Sequence, residues 1–126
     1  MGAVEEKITE AELEVMEVLW RGEGPMSLTE IKGALPEKNG DTTKTLLRRL
    51  CAKGAVGQEK DRVFRYRPLV SRAAVGGSRA RRLIDKLYAG SARDMVAALV
   101  AGEELGREDI AQLRALLEEL DGKGGG

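Results

Sequence analysis

The chain has 126 residues, 42% of them hydrophobic and 33% charged, with 21 Lys/Arg against 21 Asp/Glu. This is the composition of a soluble globular protein with one ordinary domain or two small lobes. One cysteine and no histidine exclude an intramolecular disulfide and a cysteine-cluster metal site, and remove the commonest general base and zinc ligand. No catalytic residue, enzyme activity, metal or other cofactor is therefore expected. No apolar run approaches the roughly 18 residues of a membrane span, and Met-Gly-Ala-Val-Glu-Glu-Lys does not read as a secretory signal. A cytoplasmic location is expected.

The zero net charge hides an asymmetry. Residues 1–40 carry 4 Lys/Arg and 9 Asp/Glu, residues 41–82 carry 12 and 3, and residues 83–126 carry 5 and 9. A central block of +9 between flanks of −5 and −4 is a footprint for a polyanion, unless the charges mix in three dimensions.

The first helix is predicted from Thr9 to about Arg21. Thr9 with Glu12 makes a capping box, Ile8 can staple against Leu13, and Leu13, Met16, Leu19 and Trp20 form the buried stripe. Trp20 reads as a core anchor, and Gly22-Glu-Gly-Pro25 stops the helix. Ser27 with Glu30 repeats the capping box, with Met26 and Ile31 as the staple, so a second helix should run from Leu28 to about Leu35. Pro36-Glu-Lys-Asn-Gly40 is a polar turn.

A third helix over Asp41–Lys53, capped by Asp41 or Thr42, separates into two faces. Thr43, Leu46, Leu47 and Leu50 follow the i, i+3, i+4, i+7 spacing of a helix docked on a core. The other face carries Thr42, Thr45, Arg48, Arg49 and Ala52, flanked by Lys44 and Lys53. Short hydroxyls and guanidinium groups without bulky apolar neighbours suit a helix in a DNA major groove. They also suit a solvated amphipathic surface, and the helix alone does not choose. Cys51, on its flank, reads either as a small, partly buried helix residue or as a redox switch.

Gly54 should end that helix. Val56–Pro68 then changes period. Phe64 and Tyr66 alternate with Val63, Arg65 and Arg67, and Lys60-Asp61 is a plausible turn, which predicts a two-stranded hairpin. Three helices followed by a basic hairpin make a winged helix, with the second and third helices as a helix-turn-helix.

The rest is helical. Ser71 can cap a helix to about Tyr88 with Ala80, Leu83, Ile84, Leu87 and Tyr88 along one side. Another runs from Ser91 to about Val100 with Met95, Val96, Leu99 and Val100. A last one runs from Arg107 to about Leu120, where Ile110, Leu113, Leu117 and Leu120 show the 3-4-3 spacing of a helix-pairing seam. Three such helices make little core of their own. Sharing one with a second chain would remedy that, and folding back on the winged helix is the alternative. The expected fold is mainly α with a small β-hairpin: a winged helix-turn-helix at 7–70, a three-helix dimerisation lobe at 71–121 and a flexible tail at 122–126. Leu83, Leu87, Leu99, Ile110, Leu113, Leu117 and Leu120 are the expected dimer contacts.

The blocks Ile8–Trp20, Thr42–Leu50 with Lys53-Gly54, Tyr66-Arg-Pro68, Leu87-Tyr-Ala-Gly90 and Glu103-Glu-Leu105 resemble, in kind and order, the penicillinase-repressor family of the BlaI/MecI/CopY type. The resemblance covers roughly residues 7–121. It implies a homodimeric transcriptional repressor that binds double-stranded DNA at a palindromic operator, one winged helix per half-site. It also implies relief through a membrane-anchored sensor metalloprotease that leads to cleavage in the dimerisation lobe. Carried over by position, Thr42, Lys44, Thr45, Arg48 and Arg49 would face the bases, and wing residues Lys60 and Arg62 would meet backbone or minor groove. The candidate proteolysis region is Ala98-Leu99, where cleaved members carry an Asn-Phe bond that this chain lacks. The clustered C-terminal cysteines of copper-responsive members are also missing. The rival reading is a winged-helix module for protein–protein interaction, with Arg48 and Arg49 on an acidic partner.

Overall fold

The structure, a computed structural model, describes residues 3–124. The chain divides between Arg82 and Leu83 into two compact units.

In the first unit a 3-10 turn, Val4–Lys7, leads into helix α1, Glu10–Arg21. The start of α1 is set locally: Thr9 Oγ1 accepts from the Glu12 N–H at 3.2 Å, and Glu12 Oε1 accepts from the Thr9 N–H at 3.0 Å. Each such cap is worth about 1 kcal/mol. Ser27 and Glu30 repeat the box at the start of α2, Leu28–Ala34. Trp20 is the expected anchor: its ring packs on the core and its Nε1 donates to the Val70 carbonyl at 3.0 Å.

Helix α3 spans Gly40–Lys53 and begins earlier than expected. Its cap is neither Asp41 nor Thr42 but Asn39, whose side-chain oxygen accepts from the Asp41 N–H at 2.7 Å while its carbonyl accepts from Thr43 N at 3.1 Å. Gly40 tolerates the first helical position because the cap, not the propensity, decides there. Gly54 closes the helix in the left-handed conformation, φ 83°, and the Ala55 N–H returns to the Leu50 carbonyl at 3.0 Å.

Strands β2, Val56–Asp61, and β3, Val63–Pro68, form the hairpin. Lys60 stays in the ladder opposite Phe64, and the reversal falls at Arg62, one residue past the expected Lys60-Asp61 turn. Arg62 has φ 66°, a conformation that costs a non-glycine residue about 1 kcal/mol. A further strand escaped sequence reading. β1, Met26–Ser27, pairs antiparallel with Tyr66 and Arg65 and makes a three-stranded sheet in the order β1-β3-β2.

The core joins Val15, Met16 and Leu19 of α1, Ile31 of α2, Leu46, Leu47 and Leu50 of α3, Val56 of β2 and Val75. Val75 lies in helix α4, Arg72–Leu87, whose first turn Ser71 closes by accepting from Ala74 N at 3.0 Å. Arg72 stacks over Trp20 at 5.3 Å and pairs with Glu17, while Arg79 donates to Glu10 and to the Ile8 carbonyl. The Arg72–Arg82 stretch therefore packs with the winged helix, although a boundary was expected before Ser71.

In the second unit α4 ends where Ala89 and Gly90 take positive φ and Gly90 N returns to the Ile84 carbonyl at 3.1 Å. Ser91 caps α5, Ala92–Ala101, and α6 runs over Arg107–Gly124. The last helix outlasts its expected end near Leu120, because a single glycine such as Gly122 costs about 1 kcal/mol and does not stop a helix. The expected tail is thus helical to Gly124, and its residues 125 and 126 lie outside the described residues. No side chain of α5 is buried. Leu117 and Leu120 of α6 are 65% and 66% exposed. Among the described residues no helix is long and apolar enough to cross a membrane.

Candidate nucleic-acid interface

The outward face of α3 is set by its inward one. Thr43, Leu46, Leu47 and Leu50 are all buried, and a fully buried leucine contributes about 2 kcal/mol. That seam outweighs any single cap and fixes which residues look out. Thr42, Lys44, Arg48 and Arg49 are exposed and Thr45 is half-buried.

The structure sorts these five onto two flanks. Lys44 and Arg48, with Leu47 and Cys51, line a cleft of about 650 Å³ between α3, the start of α2 and the hairpin. Thr42, Thr45 and Arg49, with Asp41 and Leu46, line a shallower hollow of about 310 Å³ on the other side. The wing residues are exposed as expected: Arg62 at the reversal, and Lys60 with its Nζ 5.6 Å from the Phe64 ring centre. Sequence reading missed the cleft's other walls, Ser27 and Thr29 at the start of α2 and Gln58 on β2. The alternation of Phe64 and Tyr66 was the one signal pointing there. Cys51 sits in this wall, where burial pushes its thiol pKa up, and Tyr66 is raised by burial and then by Cys51.

Cations without an ion pair concentrate on this surface, although Lys7, Lys32, Arg67 and Arg82 of the unit also lack one among the described residues. Among the described residues, Lys44, Arg48, Arg49, Lys60 and Arg62 are in no ion pair, whereas Lys38 pairs with Glu14, Arg65 with Glu30, Arg72 with Glu17 and Arg79 with Glu10. Lys53, on the flank of the same helix, also turns away: its Nζ lies 2.5 Å from Glu12 Oε1. A groove of similar volume, about 640 Å³, runs along α1, but Glu10, Glu14 and Glu17 line it and Arg21, its one basic lining residue, is paired with Glu17, so it offers a polyanion no unpaired cation.

A family model described as penicillinase repressor matches residues 8–119. The chain belongs to the penicillinase repressor family. Among its relatives, the methicillin resistance regulatory protein MecI of Staphylococcus aureus (strain N315) is 29% identical over 116 residues, which are 90% of this chain and 94% of that protein. The penicillinase repressor of Bacillus licheniformis is 31% identical over 117 residues, 90% of this chain and 91% of that protein. A solved structure of the DNA binding domain of the repressor BlaI is 34% identical with a TM-score of 0.50, and covers 58% of this chain and 92% of that one. Family and fold agree on a winged helix.

The residues expected to pair two chains lie on the second unit. Leu83, Leu87, Leu99, Ile110, Leu113, Leu117 and Leu120 are all exposed, as are Val96, Val100 and Leu116. That is more large apolar surface than a lone small unit normally shows to water. Ala98 and Leu99, the candidate proteolysis region, lie in α5 with exposed side chains.

Proposed function

We propose that the protein is a homodimeric transcriptional repressor that occupies a palindromic operator with one winged helix on each half-site. α3 enters the major groove, where Thr42, Thr45, Lys44, Arg48 and Arg49 meet bases and phosphates, and Lys60 and Arg62 of the wing meet the backbone or minor groove. The observation that carries this reading is the group of exposed cations without an ion pair, Lys44, Arg48, Arg49, Lys60 and Arg62, gathered on the outward face of α3 and on the hairpin. Similarity to the penicillinase repressor and to the BlaI DNA binding domain supports it. Exposed leucines of α4, α5 and α6 would bury one another in the dimer, and half-sites would lie about one helical turn apart or a multiple of it.

Relief follows from weakening the dimer or the DNA contact. Cleavage near Ala98-Leu99 through a membrane-anchored sensor metalloprotease would do the first. In support, α5 has no buried residue, so opening it locally costs little. The reading implies a cytoplasmic protein.

The test selects duplexes from a random pool with the full-length protein and then titrates salt. The expected result is an enriched palindrome bound about 1,000-fold more tightly than random duplex, with affinity for both falling steeply as salt rises. Binding that shows neither salt dependence nor sequence preference would favour the protein–protein module instead.

A further inference from the structure

Lys53 ends α3 on the flank of its outward face, where a cation would be a natural phosphate clamp. The structure uses it otherwise. Its Nζ donates to Glu12 Oε1 at 2.5 Å and to the Lys7 carbonyl at 2.7 Å. Glu12 is 1% exposed, and the same oxygen accepts from the Thr9 N–H at 3.0 Å. One buried carboxylate thus closes the first turn of α1 and receives the last residue of α3.

Neither job needs this arrangement by itself. A glutamine caps a helix as a glutamate does, and the apolar seam already docks α3. An apolar seam is poor at fixing angle, however, since helix pairs with similar seams scatter by about 15–20° in crossing angle. For a side-chain tip roughly 10 Å from the crossing point, 15° is a displacement of about 2.6 Å, enough to break a hydrogen bond to a base edge. A charged, directional contact at the helix end supplies what the seam lacks.

We propose that Glu12 is a positioning residue for DNA reading, holding the C-terminal end of α3 through Lys53, and that Lys53 is thereby withdrawn from the phosphates. This rests on the repressor reading above. Glu12 touches no DNA and acts only through the setting of Arg48 and Thr45.

The experiment compares full-length Glu12→Gln, Lys53→Met, the double variant and Lys53→Arg, below their melting transitions and with native helix content verified by circular dichroism. The probes are a duplex selected by the unaltered protein from a random pool, and a random-sequence duplex of equal length. Glu12→Gln and Lys53→Met should each lower the preference for the selected duplex by about tenfold, the size of one lost base contact. Affinity for the random duplex and its salt slope should stay within about twofold of the unaltered values, since no phosphate contact is lost. The double variant should be no worse than either single one, and Lys53→Arg should keep the preference. The proposal is overturned if Lys53→Met weakens both duplexes equally and reduces the salt slope by about one, the mark of a phosphate contact. It is also overturned if Glu12→Gln and Lys53→Met lower the melting temperature with preference unchanged, which would make the pair purely structural. Should the unaltered protein select no sequence at all, the repressor reading fails first.

Discussion

Arg48 stands on the outward face of α3, exposed, without an ion pair among the described residues, and beside Lys44 on the wall of the cleft. Its side chain is in no hydrogen bond or ion pair among the described residues, so its removal should separate reading from folding. Arg48→Ala should leave thermal stability within about 0.5 kcal/mol and cost about 1–3 kcal/mol in binding the selected duplex, with relaxed preference at one position. Competition binding against single-position variants of that duplex measures this. A loss equal on every sequence would make Arg48 a phosphate contact, and no loss would remove it from the interface. Which residues face outward was legible in the sequence, because Thr43, Leu46, Leu47 and Leu50 form a helical period that burial then fixes. Which cations are already spoken for was not: Lys53, unlike Lys44, has Glu12 and the Lys7 carbonyl within reach, 41 and 46 positions away.

At the scale of elements, local chemistry was the readable part. The boxes Thr9/Glu12 and Ser27/Glu30 set the starts of α1 and α2 within three residues of chain. β1 could not be read, since two residues carry no period and its partner in β3 is far away in sequence. The link between α1 and α3 gives the winged helix an acid limit. Burial raises the Glu12 pKa, but the Lys53 hydrogen bond and charge and the Thr9 donor outweigh it, leaving it below the ordinary value of 4.5. A carboxylate lowered in the folded state stabilises fully above its unfolded pKa, and loses that contribution as pH falls through the folded one. Melting temperature should therefore decline below about pH 4.5 and decline less in Glu12→Gln. Circular dichroism melts across pH 3 to 7 check this, and parallel curves for the two proteins would assign the acid limit elsewhere.

For the whole molecule, the sequence pattern changes near residue 70, whereas the structure divides between Arg82 and Leu83. Arg72, Val75 and Arg79 belong to the first unit, and the glutamates that the two arginines pair with, Glu17 and Glu10, lie 55 and 69 residues upstream, beyond what a local pattern reads. In the proposed dimer, the lobe's exposed leucines would bury one another and its state would depend on concentration. Polar substitution of Leu113 and Leu117 should shift the protein to monomer in sedimentation and weaken operator binding by more than tenfold, since one half-site alone holds poorly. Retention of the dimer would show that the pairing surface is elsewhere on the lobe. The first unit should melt unchanged, and the molecule carries its own means of seeing so. Trp20 is the chain's only tryptophan, hydrogen-bonded to Val70 and covered by Arg72. Selective excitation of that indole therefore gives an optical signal of the DNA-binding unit and the start of α4. The lobe, with Tyr88 as its one aromatic residue, is dark at that wavelength, so its assembly and the melting of its neighbour are followed as separate events in one sample.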